Sequence, residues 1–245
     1  MRGAIRSYDG DFAGAMEALA EAYPLLVQLG AEQDAGYCRN RLLTLRIITA
    51  DAAGLATLRE ELEAELRSPA VRASRTLLSF TRMSLSQVRH LAGDHAAGAA
   101  LLQALLADLA ETGLGDPFGA NQWEGMVRTT LAVLAALDGD AATARTEILR
   151  AAHCAWRSRD MPVVAGVVAG AAVVAEVVDG DLDRAARLLG TADTVRGRPD
   201  RANLDAEALA RRLRERLGAE RFAELTAAGA AVPREQALDA VLGGS

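Results

Sequence analysis

Lysine is absent from this chain, so all 27 of its basic side chains are arginines. A glycine-rich phosphate loop ending in Gly-Lys-Ser/Thr therefore cannot be present, and the segment does not itself resemble an ATPase. Cysteine is scarce. Cys38 and Cys154 lie far apart with no third or fourth partner, which suggests neither a disulfide framework nor a zinc site. Two small buried apolar residues in a reducing cytoplasm are the expectation. Cationic excess is missing too: the formal net charge is −6, which argues against direct nucleic-acid binding as the main role, because phosphate recognition needs a local surplus of cations. Long hydrophobic runs are few. The opening MRGAIRSYDG has no apolar stretch of signal-peptide length, and the uncharged run from Met161 to Ala175 contains Pro162 and stops at Glu176, short of the roughly 20 residues that span a bilayer. A buried helix away from any membrane is expected there, and a cytoplasmic location for the chain.

The residues that are plentiful point to helix. Hydrophobic residues make up 51% of the 245 positions, enough for a substantial core in one elongated domain or two small ones. Ala, Leu, Arg and Glu dominate, and all are strong helix formers. Strand signals are absent. A short punctuation mark then recurs: Gly10-Asp11, Gly93-Asp94, Gly139-Asp140 and Gly180-Asp181, with Ala50-Asp51 as a degenerate fifth copy. Successive Asp residues are 40, 43, 46 and 41 positions apart, the length of two helices and two turns. In such a pair Gly ends one helix in a left-handed conformation and Asp caps the next, so each copy reads as the bend of a helical hairpin.

Close helix crossings need small residues at fixed offsets, and these are present. Four and eleven positions after the Asp come Ala15 and Ala22, Ala144 and Ala151, and Ala185 and Ala192. The copies at Asp94 (Gly98, Leu105) and Asp51 (Leu55, Leu62) depart from the rule, which predicts wider spacing in those hairpins. Nine positions before the Asp stand Leu42, Leu85 and Leu131, a core position of the first helix. The pattern predicts helices over 12–29, 33–49, 52–67, 70–91, 95–112, 120–137, 141–158, 162–178 and 182–196, with a remnant ahead of Tyr8 and a loop from Gly113 to Asn121. Beyond them, Leu204–Leu217, Ala219–Ala228 and Pro233–Leu242 read as three short amphipathic helices, the first two ended by Gly218 and Gly229.

Gly-Asp, Ala at those two offsets and Leu in the preceding helix together resemble tetratricopeptide (TPR) repeats in a longer variant. The resemblance covers residues 1–197 and implies an all-α, TPR-like right-handed superhelix of about five antiparallel hairpins, closed by a C-terminal helical cap at 198–245. Two departures stand out: the family's aromatic five positions before the Asp is replaced by Arg46, Arg89, Ala135 and Glu176, and its closing Pro is mostly missing. The tail carries its own resemblance. Ala-Ala-Arg-Leu-Leu-Gly-Thr-Ala-Asp (185–193), Arg-Gly-Arg-Pro-Asp-Arg (196–201), Leu-Gly-Ala-Glu-Arg-Phe (217–222), Gly229 and Glu-Gln-Ala-Leu (235–238) are similar to the C-terminal end of actinobacterial AfsR/SARP-type, BTAD-containing transcriptional regulators and related multidomain ATPase regulators. That likeness implies a sensor or interaction module of a longer regulator. A chain that opens only a few residues before its first bend fits the same expectation.

Chemistry-bearing residues do not converge in the sequence. His90 and His95 flank Asp94 with nothing to complete a metal set. His153 and Cys154 are adjacent on a helix and so point about 100° apart. Glu60, Glu61, Glu63 and Glu65 read as a solvated acidic face, and Arg211, Arg212, Arg214 and Arg216, interleaved with Glu207 and Glu215, as a salt-bridged surface. No catalytic residue, cofactor or metal is expected. TPR geometry instead puts the positions 14, 11, 7, 4 and 3 before each Asp on a concave wall: Tyr37, Asn40, Thr44, Ile47 and Ile48; Phe80, Met83, Gln87, His90 and Leu91; then Met126, Thr129 and Val133, with Tyr8 at the open end. Such a wall suits a protein or peptide, or a small-molecule effector, unless neighbouring helices fill part of it. Trp123, beside the long loop, is expected in the core. A structural oligomerisation scaffold, such as a homodimer, is the alternative. The hairpin register has a direct check: Ala144→Leu or Ala185→Leu is expected to lower stability by about 1–3 kcal/mol through overpacking, read by thermal or urea unfolding.

Overall fold

The computed structural model describes residues 2–112 and 119–243, without the side chains of Arg2, Ala4, Tyr8, Glu32, Gln33, Thr112 and Ala120. The described residues form fourteen α-helices and one 3₁₀ turn and contain no strand. The helix starts follow from cap chemistry. The carboxylates of Asp11, Asp51, Asp140 and Asp181 each accept a hydrogen bond from the backbone N–H three residues on, at 3.0, 2.8, 3.0 and 2.8 Å. At Asp140 the hydroxyl and N–H of Thr143 hold the carboxyl below its usual range. The preceding Gly10, Gly93, Gly139 and Gly180 all have positive φ, between 66° and 88°, which is the backbone that only glycine adopts without strain. Ala50 is extended instead, with ψ of 140°, so the degenerate copy bends differently.

The chain forms two compact units, residues 1–94 and 95–245. The first contains α1 (Arg2–Tyr8), α2 (Phe12–Gln28), α3 (Glu32–Thr49), α4 (Ala52–Arg67), α5 (Pro69–Ala73) and α6 (Arg75–Leu91). Its α2 packs on both α1 and α3, and α4 packs on α6. Ala15, Leu19, Cys38 and Leu45 are buried together, with Phe12, Met16, Ala22, Leu42 and Ile48 against them. Across the Asp51 bend, α3 and α4 approach each other little, the wider spacing expected where Leu replaces Ala. Long side chains span the gap: Arg46 reaches Glu61 at 2.9 Å and Arg39 reaches Glu65 at 2.8 Å. Glu63 takes Arg89 of α6 at 2.8 Å. The acidic run on α4 is therefore not a merely solvated face, since three of its carboxylates tie α4 to both neighbours. The single helix expected over 70–91 is also interrupted. Ser74 is extended and its hydroxyl accepts from Leu77 N–H at 3.3 Å, starting α6 afresh after the one-turn α5 that Pro69 opens.

The second unit holds α7 (His95–Thr112), α8 (Gly119–Leu137), α9 (Ala141–Ser158), α10 (Met161–Val177), α11 (Leu182–Arg196), α12 (Leu204–Leu217), α13 (Ala219–Ala230), a 3₁₀ turn (Arg234–Gln236) and α14 (Asp239–Leu242). The loop expected from Gly113 to Asn121 lies mostly outside the described residues, and α8 begins within it. The hairpins α8–α9 and α10–α11 are the tightest pairs, and α8 also packs along α10. Ala144, Ala151, Ala185 and Ala192 are buried at these crossings, where their small side chains let the helices approach. The uncharged run expected as a buried helix is α10, enclosed from Val163 to Glu176. No described helix is long and apolar enough to cross a membrane.

Two devices fasten the tail to this unit. Glu176 of α10, with its carboxylate buried, accepts from Nε and Nη2 of Arg212 of α12 at 2.5–3.2 Å and from Arg216 at 3.3 Å. Glu176 stands five positions before Asp181. The other device is glycine. A Cβ on Gly190 of α11 would lie 2.0 Å from the Thr226 carbonyl oxygen, and one on Gly229 of α13 would lie 1.9 Å from that of Arg187. The Thr191 hydroxyl donates across this contact to the Gly229 carbonyl at 2.9 Å. Gly229 therefore does not end its helix, which runs on to Ala230. Gly218 does end α12, with φ of 83°. The helix expected over Pro233–Leu242 is only the 3₁₀ turn and the one-turn α14. Gly190→Ala and Gly229→Ala are each expected to cost more than about 3 kcal/mol in urea unfolding, because the clashing atoms are backbone and cannot rotate away.

Candidate functional site

In the first unit the wall positions fall on α3 and α6. Tyr37 is the most open, 55% exposed, and Asn40 and Thr44 follow it one and two turns along α3, partly buried. The Thr44 hydroxyl donates to the Asn40 carbonyl at 3.0 Å, so it is engaged within its own helix. Ile47 is buried and Ile48 packs on the core. On α6, Phe80, Gln87, His90 and Leu91 are partly buried. Met83 is a correction to the expected surface: at 8% exposure it is core. Nearby, the Ser86 hydroxyl is fully enclosed and finds no hydrogen-bond partner among the described residues. Tyr8 ends α1, and its side chain lies outside those described.

In the second unit, Met126 of α8 is exposed and Val133 is buried. Thr129 lies between them on the same face. Its hydroxyl donates to the Gly125 carbonyl at 2.7 Å, and a Cβ on Gly170 of α10 would come within 2.5 Å of its methyl carbon. Thr129 thus fills the α8–α10 contact, where a ligand-facing role was expected. The filling of part of the wall by neighbouring helices is observed at Ile47, Met83, Thr129 and Val133. Trp123 is partly buried.

Beneath α8 runs a cluster of charge that the sequence did not disclose. Arg128 pairs with Glu124 one turn back at 2.7 Å and with Glu147 of α9 at 2.5 Å, while Arg150 takes the other oxygen of Glu147 at 2.8 Å. The Glu147 carboxylate is 9% exposed. Burial works against the Arg128 guanidinium charge, yet its hydrogen bonds to Glu124 and Glu147 outweigh that and raise its pKa overall. Cys154 is buried on the neighbouring turn. Desolvation pushes its thiol up, Glu124 adds to this and Arg128 opposes it, so the group stays protonated at neutral pH. His153 is exposed on the other side of α9, away from that thiol. Cys38, sealed against the Leu19 carbonyl at 3.2 Å, is likewise raised by burial. No three His, Cys, Asp or Glu residues among those described are placed to hold a metal ion.

Trp156, which the register before each bend does not include, is 64% exposed on α9. A signal existed: Leu149, Arg150, His153, Trp156 and Arg157 recur at helical spacing on the side opposite the buried Ala residues. No protein-family model, curated protein or solved structure matches the chain.

Near the tail, the Asp193 carboxylate is held above its usual range. Burial is the main cause; Glu207 and Asp200 add to it and Arg201 opposes it. A carboxyl whose folded pKa exceeds its unfolded value weakens the fold above that folded pKa, and the penalty disappears as pH falls through the interval between the two values. Asp193→Asn is therefore expected to raise the melting temperature at pH 8 and to change it much less at pH 4, measured by thermal unfolding at both.

Proposed function

We propose that the chain is a non-enzymatic binding module, a TPR-like helical repeat that holds a protein, peptide or small-molecule effector and belongs to a larger transcriptional regulator of the AfsR/SARP type. The recurrence of one local device carries this reading. The same Gly-Asp bend, capped the same way, introduces a helix with buried Ala at the same offset at Asp11, Asp140 and Asp181. Repeated hairpins of this kind commonly serve as binding scaffolds, since their stacking creates an extended surface. The wording of the tail supports the regulator assignment, and its tight attachment suits a terminal cap. In this reading effector binding acts by favouring one arrangement of the module over another. Within the first unit Tyr37 is its best contact, with Asn40, Phe80, Gln87 and His90 as further contacts.

A structural oligomerisation scaffold is the second reading, and one observation favours it. The C-terminal end of α2 exposes Leu25, Val27 and Leu29, the last at 80%. One set of measurements separates the two. A metabolite thermal-shift screen and a pulldown are expected to give a binder whose stabilisation of the fold is lost in Tyr37→Ala. If both are blank with well-folded protein, the binding reading fails. A concentration-dependent dimer in sedimentation, broken by Leu25→Ser with Leu29→Ser and kept by Tyr37→Ala, would establish the scaffold instead.

A further inference from the structure

The outward face of α9 differs in charge from the rest of an acidic chain. Around the helix, Ala144, Glu147, Ile148, Ala151, Ala152, Cys154 and Ala155 are buried, and the opposite arc presents Arg145, Leu149, Arg150, His153, Trp156 and Arg157. That arc contains no acidic residue. The only carboxylate on α9, Glu147, is turned inward to Arg128 and Arg150. Arg145 is engaged with Asp179 at 2.7 Å, but neither Arg157 nor Arg159 forms an ion pair among the described residues. Asp160, the acid next to them in sequence, is already committed, accepting from Val163 N–H and from the Gln122 amide at 2.7 Å.

Local structure does not require these side chains. A basic residue in the last turn complements the helix dipole, which accounts for Arg157 but not for an exposed indole one position earlier. The bend after α9 is occupied by Arg159 at φ of 52°, whereas at every other positive φ among the described residues the position is glycine. Glycine would relieve that backbone, so the arginine is kept at a conformational cost. Met161, just past the bend, is 39% exposed and extends the apolar part of the surface.

We propose that this face, centred on Trp156 and bordered by Arg150, Arg157 and Arg159, docks an acidic polypeptide segment that presents an apolar or aromatic anchor to the indole. Trp and Arg are the residues that most often dominate binding at protein interfaces. The partner's charge follows from complementarity: two uncommitted guanidinium groups and no carboxylate oppose a chain of net charge −6. A nucleic acid fits less well, since only a few cations could reach its phosphates and one of them, Arg150, already shares Glu147. The surface is distinct from the wall positions on α3, α6 and α8, so its fate is independent of theirs.

The test is fluorescence anisotropy of the full chain with a fluorescein-labelled 14-residue peptide in which Leu and Phe recur every three or four positions among Asp and Glu. Two control probes accompany it: the same peptide with Ser at the Leu and Phe positions, and a single-stranded oligothymidylate. Saturable binding of the first probe alone is expected, weakened at least ~10-fold by Trp156→Ala and by Arg157→Glu with Arg159→Glu, and weakened by added salt. Both variants lie on the exposed face, and unchanged circular dichroism and melting would show that the fold is retained. The proposal is overturned if the acidic peptide does not bind, if it binds the Trp156→Ala chain equally well, or if the oligothymidylate binds in its place. A dimer in sedimentation that Trp156→Ala dissolves would also overturn it, because a second copy of the chain would then occupy the face.

Discussion

Where two helices approach until the backbone of one meets that of the other, nothing larger than Ala, and in places only Gly, fits between them. Most of the second unit depends on this constraint. Ala144, Ala151, Ala185 and Ala192 line the α8–α9 and α10–α11 crossings with no appreciable exposure. At the α11–α13 contact even a methyl group is too large, since Gly190 and Gly229 each face the other helix's carbonyl oxygen. Thr191 uses the proximity to donate a hydrogen bond across it. Close approach is worth having because interiors at crystal-like density gain many small dispersion contacts, and it fixes the crossing geometry because such contacts tolerate little displacement.

Where the residues are larger, the same spaces are bridged differently. Leu55 and Leu62 take the Ala positions on α4, and α3 and α4 stand further apart with Arg–Glu pairs spanning them. These pairs are about half exposed, so each contributes little to stability, ~0–1 kcal/mol. Their value lies in register, because an Arg that meets a Glu on the facing helix selects one sliding position of the helices over others. Glu176 is the stronger case. Its carboxylate is buried, and removing its arginines would leave a charge without solvent or partner, so α12 is held where Arg212 and Arg216 can reach it. The absence of lysine suits this use, since a guanidinium can bridge two carboxylate oxygens in one plane and remains charged when partly enclosed.

Local features were legible because their causes are local. An Asp that caps three residues on, a Gly that turns left-handed and an apolar run too long for a strand act within one or two turns, and the helix boundaries over 12–28, 52–67, 95–112, 141–158 and 182–196 lie within a residue of those read from the pattern. The misreadings share an opposite cause. Gly229 looked like a helix end because glycine usually is one, but it serves an approach by a helix some 40 residues earlier in the chain. The acidic run on α4 looked solvated because its arginine partners lie on other helices. Met83 and Thr129 occupied the expected wall register, and their surroundings depend on how closely α6 and α8 are packed by neighbours that the register does not specify. Trp156 falls outside the register of positions before each bend, because it lies near the far end of the helix that follows one.

By itself the sequence determined an all-helical chain, the places where it bends, which residues start each helix and which small residues permit close crossings. These follow from backbone sterics and nearest-neighbour hydrogen bonding, which a short stretch of residues carries complete. Only the tertiary structure decided which crossings close fully, which carboxylates are buried against which arginines, how much of the expected wall is filled, and that the outer face of α9 keeps an indole and two uncommitted guanidinium groups in solvent. Those outcomes depend on contacts between residues far apart in the chain, and burial, unlike a helix cap, is a property of everything that surrounds a side chain.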